Sequence, residues 1–462
     1  MRRLSIRLTR CAIVLGAMVM MLAGCAGPRA YLGEPLTLAT ADSGYRGTQV
    51  VPLRQHDEML MIVSLSGGGM RASAMAYGLF EQLAADTAIR GSKTSRLLDE
   101  IDVISAVSGG AVPAAYFTLY GDRVFRDFES RFLNEDFTAT VRRAILLDPR
   151  NWLRMASSEY FRGDLYAEYF DRRLFKGATF DDLGKQGDRP FLIINATDIA
   201  LASRFEFTQD SFDLICTDLS RFPISRAIAA STLIPALLTP ITIKNRAGRC
   251  DYGLPDWVSK TMKNGDHSSR EYFRASVLSS RSDASRFGYL HLVDGALSDN
   301  LGARALLDAL SDGSRWMTWR EAPSPGSRRK LVYVSVNAGD WKSTQVGLNR
   351  QPPDALQMLR LMGTVPVDRY SAESRVLLNE ALAQHAIKEG AELYHIEIDL
   401  ESLRGDPKLT RLVELPTSFT LRPADALALR CATRRMLHAS TDYQRLMRDI
   451  SGTVGSSSIC SR

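Results

Sequence analysis

In the stretch IDVISAVSGG, residues 101–110, an apolar run meets Ser108 and two glycines. A helix-forming stretch, residues 111–120, follows at once. The pattern predicts a strand, a tight turn and a helix. Ser108 at this corner is consistent with a helix N-cap. It is equally consistent with a nucleophile held on a strand-to-helix turn, where small neighbours let the backbone bend and expose the hydroxyl.

Outward from this corner, short apolar runs alternate with helical patterns. The pairs of run and helix cover residues 59–65 and 72–85, 101–107 and 111–120, and 289–293 and 303–310, and further runs cover 191–196, 331–336 and 391–400. A long helical pattern runs from 423 to about 449. Such alternation is typical of a mostly parallel sheet with helices on both faces. We expect one α/β domain over residues 56–450, because no change of composition divides it.

The first residues do not fit that domain. Four arginines precede an apolar stretch, 11–23, which is shorter than the ~20 residues that span a bilayer. Residues 1–24 therefore predict a bacterial export signal. Its end, LAGC at 22–25, resembles the lipobox of bacterial lipoproteins, in which Cys25 is acylated. We expect a lipid-anchored tether at 25–55 and a short tail at 451–462. Residue 26 is alanine and not the aspartate associated with inner-membrane retention, so we expect the protein at the outer membrane, facing the periplasm or exposed at the cell surface.

Charge and composition argue against a disordered chain and against a nucleic-acid-binding protein. The chain has 462 residues, 45% of them hydrophobic and 24% charged, which is typical of a globular domain. Its net charge of +6 includes the four arginines of the export signal, so the mature chain is nearly neutral. The basic balance therefore indicates no nucleic-acid partner. Nothing in the sequence indicates an oligomeric state.

Four cysteines remain once Cys11 leaves with the signal and Cys25 carries lipid: Cys216, Cys250, Cys431 and Cys460. An even number in an oxidising compartment is consistent with two disulfides, for which three connectivities exist. We expect neighbours in sequence to pair, and buried free thiols are the alternative. No cysteine or histidine spacing suggests a zinc site, so no metal is expected.

Two stretches interrupt the alternation of strands and helices. Residues 244–286 are polar and rich in turn formers, and we expect them to form an insertion. Residues 150–175 contain aromatic residues interleaved with arginines, which suits either a membrane-facing cap or helices packed on their own core. Amphipathic helices usually pack on their own core, so we expect the second.

Three glycine turns follow three of the apolar runs. Gly67–Gly69 open a helix with converging N–H groups, Ser108 precedes Gly109, and Asp294 ends the run at 289–293. Each turn alone is explained by a bend, a cap or a turn former. Together they supply an oxyanion hole, a nucleophile and a base at the carboxyl ends of strands, where open α/β sheets place their sites.

With these motifs the sequence resembles the patatin-like phospholipases, which are Ser-Asp lipid acyl hydrolases, over most of residues 59–440. The motifs that carry the resemblance are GGGMR at 67–71, AVSGG at 106–110, DGA at 294–296, and the segments NATDI at 195–199, SRAIAASTLIPALLTP at 225–240 and SDNLG at 298–302. The resemblance implies a three-layer α/β/α fold. Ala106 and Ala72 stand where many relatives carry glycine; a methyl group at 106 is tolerated if φ there stays negative.

The resemblance implies Ser108 as nucleophile and Asp294 as general base in a reaction through an acyl-enzyme, with membrane lipids as substrates and no cofactor. We expect Gly67, Gly68, Gly69 and Gly109 to form the oxyanion hole. Arg71 is expected to support the glycine loop or meet a phosphate; a surface salt bridge is the alternative.

Other functions stay open at this point. A Ser-Asp-His triad would need a histidine after the acid, and His385, His395 and His438 follow Asp294. None of them lies in a loop signature, so we expect a dyad. An acyltransferase would show the same motifs. A membrane-tethered binding protein on the same fold is the remaining alternative, although retention of both Ser108 and Asp294 favours an enzyme.

Overall fold

The computed structural model describes residues 30–54, 58–90, 93–187, 189–233, 238–319, 328–339, 344–348, 350–455 and 460. The expected export signal at 1–24 and the expected acylation site Cys25 lie outside the described residues, as does part of the expected tether and tail. Within the described part of the chain, no helix combines the length and apolar character that a membrane crossing requires.

An eight-stranded sheet forms the centre of the molecule. Its strands, in chain order, are β1 (Met59–Leu65), β2 (Ile101–Val107), β3 (Phe191–Asp198), β4 (Ser203–Glu206), β5 (Ile241–Lys244), β6 (Tyr289–Asp294), β7 (Arg329–Asn337) and β8 (Ala391–Asp399). Their spatial order is β8-β7-β1-β2-β3-β6-β5, and β4 pairs with β3. Every residue of β1, β2 and β3 is buried, as expected for parallel strands covered on both faces.

Helices cover this sheet, which confirms the three-layer α/β/α architecture. Twelve of them are α1 (Gly69–Ala85), α2 (Ala111–Tyr120), α3 (Phe137–Leu147), α4 (Pro149–Met155), α5 (Arg162–Phe170), α6 (Ile224–Thr232), α7 (Asp256–Asn264), α8 (Arg270–Arg281), α9 (Ala303–Ser311), α10 (Ala355–Glu389), α11 (Pro423–Ala439) and α12 (Thr441–Asp449). A π-helical segment, Val124–Leu133, follows α2. Short helices occupy Gly47–Arg54, Phe180–Gly184, Gln209–Asp213, Ala296–Asp299, Thr344–Leu348 and Thr410–Val413.

The sheet is parallel from β8 to β3 and antiparallel beyond it. The sheet is thus mostly parallel as expected, and the strand that ends at Asp294 belongs to its antiparallel part. Strand β6 runs against β3, but it is displaced so that only its last residues overlap, with Leu292 opposite Asp198 and Asp294 opposite Ala196. This offset places Asp294 at the same edge of the sheet as the end of β2, because Val107 pairs with Asn195.

The two interrupting stretches behave differently from each other. Residues 244–286 connect β5 to β6 along the chain and contain α7 and α8, which pack on one another. In the aromatic stretch, Tyr166 and Phe170 are buried as expected. Trp152, Leu153 and Phe161 are exposed, so the expectation that the stretch packs on its own core is wrong for these three residues.

Two disulfides join the cysteines that are neighbours in sequence. Cys216 pairs with Cys250 at a Cα–Cα distance of 5.4 Å, and Cys431 pairs with Cys460 at 5.5 Å. The backbone oxygens of Cys216 and Cys250 accept hydrogen bonds from Leu36 and Ala39. The first disulfide therefore also fastens the N-terminal described segment to the domain.

Candidate active site

Ser108 stands at the corner where β2 ends and a single 3₁₀ turn, Ser108–Gly110, leads into α2. Its φ of 49° lies in the left-handed region, which is unfavourable for a residue with a side chain. Backbone strain of this kind persists only where the surroundings hold it. The preceding Ala106 is buried within β2, and no positive φ is found there, so its methyl group is tolerated.

The hydroxyl of Ser108 donates a hydrogen bond to Oδ2 of Asp294 at 3.0 Å. The other carboxylate oxygen, Oδ1, accepts the backbone N–H of Ala296 at 3.0 Å. Burial raises the pKa of Asp294 to about 6, although both hydrogen bonds act to lower it. The carboxylate is therefore a stronger base than an exposed aspartate and lies within proton-transfer distance of Ser108.

The backbone of Asp294 is fixed from two sides. Its N–H donates to the carbonyl oxygen of Leu233 at 2.9 Å, just after α6. Its carbonyl oxygen accepts the hydroxyl of Thr197 on β3 at 2.8 Å. Thr197 thus holds the end of β6 in place beside β3, and the carboxylate gains a defined position relative to Ser108.

The glycine loop Gly67–Gly69 lies against the Ser108 turn. Gly68 and Gly69 have φ values of 138° and 59°, and α1 begins at Gly69. A Cβ atom on Gly109 would lie 1.9 Å from the oxygen of Gly69, so only glycine permits this contact. The first N–H groups of a helix have no partner inside it, and these lie beside the serine.

Gly67 differs from its neighbours. Its N–H donates to the carbonyl oxygen of Asn300 at 2.9 Å and is not available to a substrate oxygen while that bond persists. The backbone N–H groups that remain candidates for the expected oxyanion hole are therefore those of Gly68, Gly69 and Gly109. Asn300 belongs to the SDNLG segment, which packs the end of the β6 region against the glycine loop.

Arg71 is buried and contacts the segment of residues 413–417. The residue is only 4% exposed. Its guanidinium donates to the carbonyl oxygens of Val413 and Leu415 at 2.9 and 2.6 Å and to the hydroxyl of Thr417 at 3.0 Å. These contacts join Arg71 to residues 413–417, and its expected roles, support of the glycine loop or contact with a phosphate, stay predictions.

Sequence reasoning missed three polar residues that hold the turns. Ser231 on α6 accepts the N–H of Ser108 at 2.8 Å and donates to the oxygen of Asn195 at 2.6 Å. Ser73 on α1 donates to the oxygen of Gly109 at 2.6 Å. The amide of Asn195 donates to the hydroxyl of Ser105 and the oxygen of Ala106. The only available signal was that Ser231 and Asn195 lie in family-like segments; a buried serine on a helix carries none.

The histidines lie elsewhere in the described part of the chain. His385 contacts the oxygen of Met317, His395 stacks on Tyr333, and His438 stacks on Tyr443. Burial lowers the pKa of His395 and of His438. No hydrogen bond joins a described histidine to Ser108 or Asp294. The residues described also contain no group of three or more histidines, cysteines and acids placed to hold a metal ion.

Comparisons with known proteins extend this picture. The Patatin family model, described as patatin-like phospholipase, matches residues 63–307, more than half of the chain. No curated protein sequence matches it. A structure of human GIVD cytosolic phospholipase A2 is similar at 13% identity and a TM-score of 0.43, covering 88% of this chain and 64% of that one. Its complex with methyl gamma-linolenyl fluorophosphonate and terbium chloride is similar at 14% identity and a TM-score of 0.40, covering 92% of this chain and 66% of that one. The chain thus spans a little under two thirds of their length.

Proposed function

The chain belongs to the patatin-like phospholipase family, and on that premise we propose that it hydrolyses carboxylic esters of lipids with a Ser108–Asp294 dyad. The observation that carries the proposal is the 3.0 Å hydrogen bond from Ser108 Oγ to Asp294 Oδ2, made by a serine whose backbone is strained at a strand-to-helix turn. Strained backbone at such a corner is typical of a nucleophile.

In the first step, Oγ of Ser108 attacks the ester carbonyl carbon while its proton moves to Oδ2 of Asp294. The tetrahedral intermediate then collapses, the bond to the alcohol oxygen breaks, and Asp294 returns the proton to that leaving group. The acyl chain remains on Ser108 as an ester. A base with a pKa of about 6 suits both halves of this step, because it accepts a proton and gives it back at neutral pH.

The negative charge on the carbonyl oxygen is stabilised by the backbone N–H groups of Gly68, Gly69 and Gly109. These groups need no reorganisation during the reaction, because the glycine loop is packed against the Ser108 turn by Ser73. Gly67 contributes through its hydrogen bond to Asn300, which fixes the start of the loop.

In the second step, water attacks the acyl-enzyme after giving its proton to Asp294. The fatty acid leaves, and the proton returns to Oγ of Ser108. The dyad needs no histidine, because desolvation already raises the proton affinity of Asp294.

The proposal includes the setting of the enzyme. The substrates are membrane lipids, no nucleic acid is involved, and residues 25–55 tether the hydrolase domain of residues 56–450 to a lipid on Cys25 at the outer membrane. Cys25→Ser should then leave an unprocessed or soluble chain without the mass of the acyl groups. Mass spectrometry that finds an unmodified mature Cys25 in the parent protein would remove this part of the proposal.

The decisive experiment combines a fluorophosphonate probe with product analysis on defined lipids. The probe should label Ser108 in the active chain, and Ser108→Ala should neither be labelled nor release fatty acid. Lipid hydrolysis that persists in Ser108→Ala would contradict the dyad. A parent protein that binds the probe but cleaves none of the tested lipids would contradict lipid hydrolysis.

A further inference from the structure

The helical hairpin α3–α4, with the start of α5, presents large apolar side chains to solvent. Leu146, Leu147, Trp152, Leu153 and Phe161 are 57%, 73%, 52%, 78% and 43% exposed. Single exposed apolar residues are ordinary on a soluble domain, but five within so short a segment form a patch. We refer to these five residues as the hairpin patch.

Arginines lie along the same segment as the hairpin patch, and two of them are paired, Arg150 with Asp148 and Arg154 with Glu168. Five arginines lie within residues 137–162, at 142, 143, 150, 154 and 162, against two acids, Asp148 and Glu159. Four of the five arginines are exposed, and Arg150 is 88% exposed in its side chain. An apolar face with tryptophan and leucine bordered by arginines is typical of segments that lie in the interface of an anionic bilayer.

The patch is held in a defined shape before anything binds to it. The indole N–H of Trp152 donates to the oxygen of Ile145 at 2.8 Å, and the amide of Asn151 donates to the oxygen of Ala144 at 2.9 Å, so α4 is fixed on α3. Arg154 pairs with Glu168 on α5 and lies over the ring of Tyr160. Because the polar end of Trp152 already has its partner, its exposed ring surface is left for apolar contact.

The same hairpin connects to the proposed active site through two routes. The N–H of Thr138 on α3 donates to the oxygen of Phe419, one residue from Ser418, whose oxygen accepts the N–H of Met70 beside the glycine loop. The N–H of Gly163 on α5 donates to Thr239, and α5 packs on α6, which bears Ser231. The patch is thus built on the elements that hold the site.

We propose that the hairpin patch docks the domain on the surface of an anionic lipid bilayer, with Leu147, Trp152 and Leu153 in the interface and the arginines at the headgroup phosphates. The docking itself does not depend on the proposed function. Only the statement that docking presents lipid to Ser108 rests on it. A second copy of the chain is the less favourable occupant, because a symmetric contact through this face would bring the two sets of arginines together.

Tryptophan quenching tests where the patch lies. The full chain with Ser108→Ala is mixed with anionic vesicles that carry brominated phosphatidylcholine, which quenches only tryptophans within the bilayer. Trp152→Phe should remove most of the bromine-dependent quenching. Trp257→Phe is the matched control, since Trp257 is partly exposed on α7 beneath Arg274, and should leave it unchanged. Residues 1–29 contain no tryptophan, so an anchor does not contribute. Quenching that is the same in Trp152→Phe would overturn the proposal.

Activity measurements separate docking from catalysis. Leu147→Glu with Leu153→Glu should lower hydrolysis of vesicle lipid at least tenfold, because two large apolar groups no longer enter the interface. Hydrolysis of a water-soluble short-chain ester should stay unchanged. Phe273→Glu, at a side chain 60% exposed on α8, is the control and should alter neither. Equal loss on both substrates would contradict docking. Absence of any hydrolysis by the parent chain would contradict the proposed function, while the quenching result would still stand.

The arginines provide a third test. Each basic side chain near an anionic surface contributes about a fivefold increase in binding, which salt weakens. Arg142→Gln with Arg143→Gln should therefore weaken binding to anionic vesicles and remove most of the preference over phosphatidylcholine vesicles. Equal binding of the parent to both vesicle types, or concentration-dependent dimerisation that the Leu147→Glu and Leu153→Glu changes abolish, would overturn the proposal in favour of another partner.

Discussion

The hydroxyl of Ser231 on α6 accepts the backbone N–H of Ser108 at 2.8 Å and donates to the oxygen of Asn195 on β3 at 2.6 Å. One buried side chain thus joins the strained turn of the proposed nucleophile to the strand beside it. The N–H of Gly295 donates to the oxygen of Ser231, so the same residue also contacts the turn after Asp294. We therefore expect Ser231 to position both members of the proposed dyad.

Ser231→Ala should lower kcat by roughly ten- to a hundredfold with little change in KM, since a small displacement of the reacting groups slows the chemical step while substrate contacts remain. The unfolding free energy should fall by about 1–3 kcal/mol, because the N–H of Ser108 loses its partner. Thr232→Ala, which removes a hydroxyl bonded within α6, is the control. Wild-type kcat in a folded Ser231→Ala protein would contradict the positioning role.

Ser108→Ala and Asp294→Asn should each abolish lipid hydrolysis without unfolding the protein, since one removes the proposed nucleophile and the other its proposed proton acceptor. The double variant should be hardly slower than either single one, because residues that act as a unit lose activity together. Steady-state rates with circular dichroism check this. Alanine at His385, His395 or His438 serves as the comparison and should leave turnover largely unchanged; a folded histidine variant as inactive as Ser108→Ala would restore the triad.

Asp294→Asn should also change how stability depends on pH. The folded-state pKa of about 6 lies above the unfolded value of about 4, so the folded protein holds this proton more tightly. The resulting stabilisation is present below about pH 4 and lost as the pH rises through about 6. At pH 8 the buried ionised carboxylate costs about 3 kcal/mol, a cost that the neutral amide of the variant does not incur.

Chemical denaturation at pH 4 and pH 8 measures this effect. The Asp294→Asn protein should be more stable than the parent at pH 8, and the difference should shrink toward zero at pH 4. In the parent, kcat/KM should fall as the pH is lowered through about 6, since the base must be unprotonated to accept the serine proton. A pH-independent difference in stability would argue against a raised pKa.

Gly109→Ala should lower turnover by roughly a hundredfold or more, because the added Cβ would lie 1.9 Å from the oxygen of Gly69 and must displace the glycine loop from the oxyanion. The added methyl group at Gly253 meets nothing within 4 Å, so Gly253→Ala is the control with the same chemical change. Measured kcat for a folded Gly109→Ala protein that equals the control would exclude a tight contact between the two turns.

Removing the disulfide between Cys216 and Cys250 by alanine substitution should lower stability by about 3–4 kcal/mol, given the sequence separation of 34 residues. The separation of 29 residues between Cys431 and Cys460 gives a similar expected loss. Only the first disulfide encloses α6 with Ser231 and Leu233, so its removal should reduce turnover more at a temperature where both variants are folded. Equal turnover in the two variants would contradict that link.

Local patterns predicted much of the fold. The strand, turn and helix around Ser108 follow from an apolar run, two glycines and a helical period, and the buried strands β1 and β2 were predicted from their largely apolar sequences. The short strands β4 and β5 were not predicted, because four residues with alternate burial differ little from loop sequence. The sequence also did not predict the antiparallel direction of β6, since strand direction depends on pairing with distant residues.

For the site, residue type and local pattern were enough to indicate which side chains could react: the serine at the corner, the aspartate that ends a run, and the glycines that permit positive φ. Tertiary structure alone decided how they meet. The offset of β6 against β3 places Asp294 beside Ser108, and Asn300 accepts the N–H of Gly67. Arg71 contacts the 413–417 segment, and Ser231 accepts the N–H of Ser108. Each of these contacts joins residues far apart in the chain. Residue type and local period carry no information about such contacts, because register and packing arise only when the sheet assembles.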